Sequence, residues 1–295
     1  MIVPMQAPQS IAKAAAWMAG WLSLMLVMAI AGREATRELA VFQVMEMRSL
    51  IGLLLLSPLI HAAGGLRAMR TQHLREHTMR NVVHYAAQYA WLAALSLIPL
   101  AQLIAIEFTM PIWALLLASI FLHERISARR LLAVALGLLG VAVIVRPGSG
   151  INVGQMVALA AAFGFAISVI LVKSLTRSDS AVAITFWMLV IQSLLGLVPA
   201  LWLWHWPAPT TWVWVLVVAV CGSYSHYCMA RALQHAEATV VIPMDYLRVP
   251  LTALAGWLIY AERMDLLTVL GAALILGGNL LNTLPGPRKA AGDAA

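Results

Sequence analysis

Glu46, Arg48, Glu107, Asp245 and Arg248 are ionisable residues set inside long apolar runs of a 295-residue chain. Where such runs lie in lipid, a charged side chain costs about 2.5–3.5 kcal/mol on insertion scales. Several persist together only if they face water or one another, so each is a candidate for binding or coupling. Asp245 and Arg248 are three residues apart, share a helix face and can pair. Glu46 and Arg48 are two apart, point to different sides and need partners on other helices. Glu107 stands one turn before Pro111, and Asp245 stands similarly before Pro250. A proline removes a backbone hydrogen bond and bends its helix. Each carboxylate thus adjoins a helix break whose freed carbonyls can face a cavity. Arg48 and Arg248 would attract anionic groups of a solute. Glu107 or Asp245 would attract cationic groups or bind a proton, and Glu46 joins them as a coupling candidate. The plainer alternative is that these groups staple helices together. Glu124 and Glu262, at span ends, fit that structural role better.

A second pattern is polar and aromatic. Tyr85, Gln88 and Tyr89 share one helix face, and Ser223, His226 and Tyr227 repeat the spacing 138 residues later. Such faces can stack on a flat or cationic solute, or hydrogen-bond between helices. Trp91 and His84 are adjacent, weaker candidates. His73 and His77 are four apart in a basic stretch and, without a further ligand, read as solvated. Cys221 and Cys228 read as small buried hydrophobes. No HExxH, GxSxG or GxxxxGK[ST] motif occurs, so no metal, cofactor or nucleotide-driven chemistry is expected.

The elements that must hold these residues are membrane spans. The chain is 62% hydrophobic and 11% charged, against roughly 25% charged in soluble domains. A span needs about 20 mostly apolar residues. Breaks at charged, Pro and Gly clusters give ten: 12–32, 41–62, 80–98, 101–122, 130–147, 153–173, 182–204, 211–233, 238–260 and 265–284. The first does not read as a cleaved signal, because it is long, lacks a small-residue cleavage site and is followed by more spans. With the N-terminus in the cytoplasm, the inner loops collect Lys13, Arg67, Arg70, Arg75, Arg80, Arg125, Arg129, Arg130, Lys173, Arg177, Arg231, Arg288 and Lys289. The outer side holds Arg33, Arg37, Arg146 and Arg263. That asymmetry orients the protein with both termini inside. It also explains the net charge of +7 without nucleic acid, for which no loop is long enough. Trp202, Trp204, Trp206, Trp212 and Trp214 form an expected outer aromatic belt.

The chain repeats itself. At a shift of 138, Glu107 meets Asp245, Glu124 meets Glu262, Arg125 meets Arg263, Tyr89 meets Tyr227 and Gly140 meets Gly278. At a shift of 144, Phe42 meets Phe186, Arg48-Ser49-Leu50 meets Gln192-Ser193-Leu194, and Gly52 meets Gly196. Five spans per half is an odd number, so the second half is inverted. Inverted repeats place a site near the midplane and support alternating access. The expected units are 12–147 and 153–284, with a short cytoplasmic tail at 285–295.

The Arg48-Ser49-Leu50 stretch with Gly52 and its leucine run, the Pro111 segment ending in Phe121-Leu122-His123-Glu124-Arg125, and Gly137 to Gly150 with Arg146-Pro147-Gly148 resemble the EamA domain of the drug/metabolite transporter superfamily. Ala261-Glu262-Arg263 looks like the second copy. The resemblance covers nearly all of 12–284. It implies a ten-helix fold, cytoplasmic termini and a central cavity lined by both halves. It also implies transport of metabolites such as amino acids, vitamins or nucleotide-like compounds, similar proteins including exporters of amino acids and importers of riboflavin or S-adenosylmethionine. Gln192 departs from the pattern by replacing the arginine expected from Arg48.

The expectation is therefore an all-α, multi-pass inner-membrane protein that carries a small organic solute by alternating access, with proton coupling as an option. Its partners are the solute and the lipid bilayer, with a monomer or homodimer as the assembly. The substrate set is Arg48, Tyr85, Gln88, Tyr89, Trp91, Glu107, His226, Tyr227, Asp245 and Arg248; the coupling set is Glu46, Glu107 and Asp245. A lipid-modifying membrane enzyme and a non-transporting scaffold are the alternatives; the first needs a catalytic cluster at one interface, the second predicts no flux.

Overall fold

A backbone in lipid must satisfy its own hydrogen bonds, so an apolar chain of this kind folds as helices. The computed structural model describes residues 10–122, 128–145, 152–175, 178–235, 244–245 and 247–283. Among them the helices are α1 (Ile11–Ala35), α2 (Val41–Ala62), α3 (Leu74–Leu95), α4 (Leu100–Glu107), α5 (Met110–Leu122), α6 (Ala128–Val145), α7 (Val153–Leu175), α8 (Ala181–Trp202), α9 (Pro209–His235), α10 (Arg248–Tyr260) and α11 (Leu266–Thr283). A 3-10 turn at Leu66–Met69 links α2 to α3. Helices Ile11–Ala35, Val41–Ala62, Val153–Val172 and Val182–Trp202 are long and apolar enough to cross a membrane by length and composition. Shorter apolar stretches lie at Leu100–Ala114, Leu131–Val145, Pro209–Ser225 and Leu266–Leu281. Leu54, Val198, Leu254 and Leu258 point outward, as a lipid-facing surface requires. The architecture is all-α, with ten spans in two inverted repeats of five.

Local chemistry sets the helix ends. Ser10 and Ser180 cap α1 and α8 by accepting from the backbone N–H of Lys13 and Ala183, which satisfies donors the helix leaves free. The fourth span is two pieces. Its interruption falls at Phe108–Thr109, before Pro111 rather than at it, because the first helical turn tolerates proline. Pro250 likewise sits in the first turn of α10. Glu107 and Asp245 therefore each stand three residues before the helix start at Met110 or Arg248. That end of a helix favours negative charge.

The third helix begins at Leu74, earlier than position 80, and this corrects two expectations. Arg80, read as a loop residue, is a buried helix residue. His77, read as solvated, is fully buried. The basic stretch looks like a loop by composition, yet its inward face packs on the second half.

Packing follows the repeat. α1 packs on α9 and α3 on α7, a pair of contacts that exchange under the symmetry. α2 packs on α8, the fourth span on the ninth through α4 and α10, and α6 on α11, each a helix against its own repeat mate. These three pairs straddle a pseudo-two-fold axis. At α6–α11 the backbones nearly touch. A Cβ at Gly140 would lie 2.6 Å from the Gly271 carbonyl oxygen, and one at Gly278 would lie 2.7 Å from that of Ala133. Small residues permit such close crossings. G140V forces the backbones apart, since a carbonyl cannot turn aside as a side chain can. The expected result is a loss of about 1–3 kcal/mol, the usual range for overpacking, read as a lower thermal midpoint in detergent. An unchanged midpoint contradicts this packing.

The connections gather at two ends. At the α1–α2 end, Arg33 pairs with Glu262, whose other oxygen accepts from the Leu100 N–H at 3.0 Å. Tyr260 donates to Glu34 at 2.8 Å, and Glu38 accepts from Thr211 and from the Ala208 N–H. The Thr211 and Ala208 bonds hold the Glu38 carboxyl below the ordinary range. Glu262 is structural there, as expected; Glu124 lies outside the described residues. Trp202 and Trp206 are exposed, but Trp204 and Trp214 pack on Leu39, Val44 and Val215. The aromatic belt thus faces outward only in part.

At the opposite end, Asp179 of the α7–α8 loop accepts from Thr71 at 2.6 Å and meets His77 Nε2 at 2.7 Å. Burial would raise the Asp179 carboxyl, but the Thr71 and His77 bonds prevail and hold it low. A depressed carboxyl gives stability that is full above its unfolded value and lost as pH falls through its folded value. Thermal midpoints followed from about pH 7 to about pH 3, across the ordinary Asp range, should therefore fall more steeply in the natural protein than in D179N. Parallel curves would show that the tie carries no pH-dependent stability.

Candidate functional site

Two charged clusters lie on the pseudo-axis, and in each the repeat mates touch. In the first, Arg48 of α2 donates through Nη2 to Gln192 Oε1 at 3.1 Å and to Gln88 Oε1 at 3.0 Å. Arg48 and Gln192 are the mates at the 144 shift. Their contact explains why the second copy lacks the arginine. Two guanidiniums meeting on an axis would repel in a medium that screens little, whereas an amide oxygen accepts.

In the second cluster, Glu107 and Asp245, the mates at the 138 shift, share one cation. Arg248 Nη2 lies 2.9 Å from Glu107 Oε1 and 3.2 Å from Asp245 Oδ2. The expected Asp245–Arg248 pair is thus present, and Glu107 joins it from the other half. Each remaining carboxylate oxygen takes an indole donor. Trp91 Nε1 donates to Glu107 and Trp21 Nε1 to Asp245, both at 2.7 Å. The Arg248 guanidinium also lies 4.9 Å from the Phe108 ring centre. Its side chain is only 5% exposed, while Glu107 and Asp245 keep 16% and 13% of their surface open. Arg248 Nε and Nη1 are buried with no hydrogen-bond partner among the described residues. A buried guanidinium with idle donors is suited to a carbonyl or anionic group of a ligand.

Helix α3 joins the clusters. Gln88, on Arg48, and Trp91, on Glu107, are three residues apart, about one turn. Tyr89 lies beside them, half-buried, with its ring 4.4 Å from that of Phe42. Tyr85 is on the same stripe, its ring 6.4 Å from Phe42. The stripe Tyr85, Gln88, Tyr89 and Trp91 is thus brought together with Arg48, Glu107, Asp245 and Arg248. His226 and Tyr227 have side chains outside the described residues. His84 turns away, toward Ser168 and Phe165.

Glu46 is set apart. It is 2% exposed, and neither carboxylate oxygen has a hydrogen-bond partner among the described residues. Cys221 and Cys228 are buried free thiols. Phe42, Phe108 and Trp21 contact Tyr89, Arg248 and Asp245, and the sequence did not single them out as candidates. Phe42 had a signal in its repeat mate Phe186. Trp21 had none, since an indole within an apolar run looks like any other.

A helical bundle with an inverted repeat, carrying paired charges on its internal axis, defines the class of membrane transporters. The EamA-like transporter family matches residues 13–146 and again 152–284. The riboflavin transporter of Brucella anthropi is 32% identical over 239 residues, 78% of this chain and 83% of that protein. The S-adenosylmethionine uptake transporter of Rickettsia bellii is 24% identical over 266 residues, 88% of this chain and 91% of that protein. A crystal structure 18% identical in sequence superposes with a TM-score of 0.64, covering 92% of this chain and 97% of its own, which supports the fold. The chain belongs to the EamA-like transporter family.

Proposed function

We propose that this protein carries riboflavin, or a flat neutral heterocycle like it, across the bacterial inner membrane by alternating access. Both termini lie in the cytoplasm, and the repeats 12–147 and 153–284 rock about the axis. No cofactor, nucleic acid or catalysis takes part, and the working unit is a monomer or homodimer.

One observation carries the reading. The charged residues of the two axial clusters, Arg48, Arg248, Glu107 and Asp245, sum to zero and leave the buried Nε and Nη1 of Arg248 without a hydrogen-bond partner among the described residues. A neutral solute fits such a site better than an ion. Riboflavin is uncharged near neutral pH, with ring carbonyls for Arg248 and a hydroxylated tail for Arg48, Gln88 and Gln192. Its flat ring system suits Tyr89 and Phe42. S-adenosylmethionine carries a net positive charge and would find both carboxylates already held by Arg248. The riboflavin transporter of Brucella anthropi is the relative in keeping with this chemistry.

The test is counterflow in proteoliposomes. Vesicles loaded with unlabelled riboflavin should accumulate labelled riboflavin transiently, and excess S-adenosylmethionine should not compete. Absence of riboflavin counterflow, or its abolition by S-adenosylmethionine, overturns the assignment. Product formation from lipid in detergent would favour the enzyme alternative instead.

A further inference from the structure

We infer that Glu46, facing the Tyr85 hydroxyl across Gly196, binds the proton that couples this transporter to a proton gradient. The inference rests on the solute-transport reading above and adds its driving ion.

Among the described residues, Glu46, Glu107 and Asp245 are the acids set inside the apolar runs, and their surroundings separate them. Every carboxylate oxygen of Glu107 and Asp245 accepts from a tryptophan or from Arg248. A proton on either would displace a charge-assisted hydrogen bond. Among the described residues Glu46 has no such donor on Oε1 or Oε2. Ionised and 2% exposed, it would be a buried charge with no cation and no hydrogen bond in good geometry among the described residues, an arrangement proteins avoid by neutralising the group. The resting form is the acid.

Its neighbours point the same way. A Cβ at Gly196 would lie 2.6 Å from Glu46 Oε2 and 2.7 Å from the Tyr85 hydroxyl. Glycine there, the repeat mate of Gly52, lets the acid and the phenol converge on one spot of α8. The Tyr85 and Ser193 hydroxyls are also buried without a hydrogen-bond partner among the described residues. Ser193 is near enough to interact with Glu46 but lies outside hydrogen-bond geometry. Three unpartnered polar groups thus surround one point inside the bundle. Among the described residues, the charged and titratable groups around it are Arg48 on α2 and Tyr85 and Tyr89 on α3, with Arg80 of α3 near Arg48. Helix α8 presents Ser193 and Gln192, and α9 presents Gly222 to Arg48. The 3-10 turn beyond α2 carries the exposed Arg67.

The cycle balances as simple proton transfer. A hydronium ion from one side gives its proton to a Glu46 oxygen, an O–H bond forms, and water leaves. On the other side the O–H breaks and the proton returns to water. Tyr85 links the step to the solute, because it shares its helix stripe with Gln88 and Tyr89. When Glu46 is ionised, a small rotation lets the phenol donate to it. When Glu46 is protonated, the same small rotation lets the acid donate to the phenol oxygen, and the phenol O–H is released toward the solute.

Two measurements separate this inference from the substrate assignment. The first is infrared difference spectroscopy of the purified protein between neutral and alkaline pH, with no solute present. A protonated-carboxyl stretch should vanish on alkalinisation in the natural protein and be absent throughout in E46Q. In Y85F the band should persist at a shifted frequency. A band retained in E46Q, or unshifted in Y85F, overturns the proposal. The second is riboflavin uptake in proteoliposomes. A pH gradient should drive net uptake or efflux in the natural protein. E46Q should keep counterflow within about twofold, under 1 kcal/mol, and lose the gradient response. A gradient response kept by E46Q, or none in a natural protein that shows counterflow, overturns coupling at Glu46. If the natural protein shows no riboflavin counterflow, the substrate assignment fails while the infrared result still decides the proton site.

Discussion

R248A should cost this protein more stability than any other single change within its axial site. Removal of the guanidinium leaves Glu107 and Asp245, mates on the pseudo-axis, as two partly buried carboxylates with no cation between them. Breaking a buried ion pair by removing one partner costs roughly 3–5 kcal/mol, and mutual repulsion of the acids adds to it. The measurement is the unfolding midpoint in detergent. The rescue is specific. In a triple variant R248A/E107Q/D245N, the amide oxygens can still accept from Trp91 and Trp21, and the buried charge is gone. Stability should return while riboflavin counterflow stays absent, because the idle donors of Arg248 have been lost. Recovery of counterflow would show that Arg248 only balances charge.

Q192E should do the reverse, leaving the fold intact and stopping transport. Arg48 now holds two neutral amide oxygens, those of Gln88 and Gln192. A carboxylate at position 192 keeps the shape and turns one contact into an ion pair, whose hydrogen bonds are roughly twice as strong. Arg48 is then locked in place and its charge is cancelled before solute arrives. A loss of about 1.4 kcal/mol in solute binding is tenfold in affinity, and at least that loss is expected, with no fall in the thermal midpoint. Unchanged affinity would place the solute away from Arg48.

Much of this was legible in the sequence because lipid imposes a simple grammar. Span two came out at its observed ends, 41–62, since charged residues flank it on both sides and Gly64 and Gly65 follow its end. The Asp245–Arg248 pair followed from spacing alone. The repeat gave Glu107 and Asp245 as equivalents, but equivalence does not say that they meet. Only the axis brings mates face to face, and it passes between them and between Arg48 and Gln192. Glu46 was legible as buried, not as unpartnered, because that depends on how α3 and α8 surround it. The start of α3 was misread for the opposite reason. Arg75, Arg80, His73 and His77 look like a solvated loop by type, and the burial of His77 against Trp187 and Asp179 from the other half leaves no mark on local composition.

The central claim is that the two charged clusters on the axis, joined by the α3 stripe, form the solute site. Flavin fluorescence quenching on titration into purified protein tests it most directly. The natural protein should quench saturably. R48A and Y89A should each weaken binding at least tenfold, about 1.4 kcal/mol, while their thermal midpoints without ligand show folded protein. Equal affinity in the natural protein and in both folded variants would contradict the account.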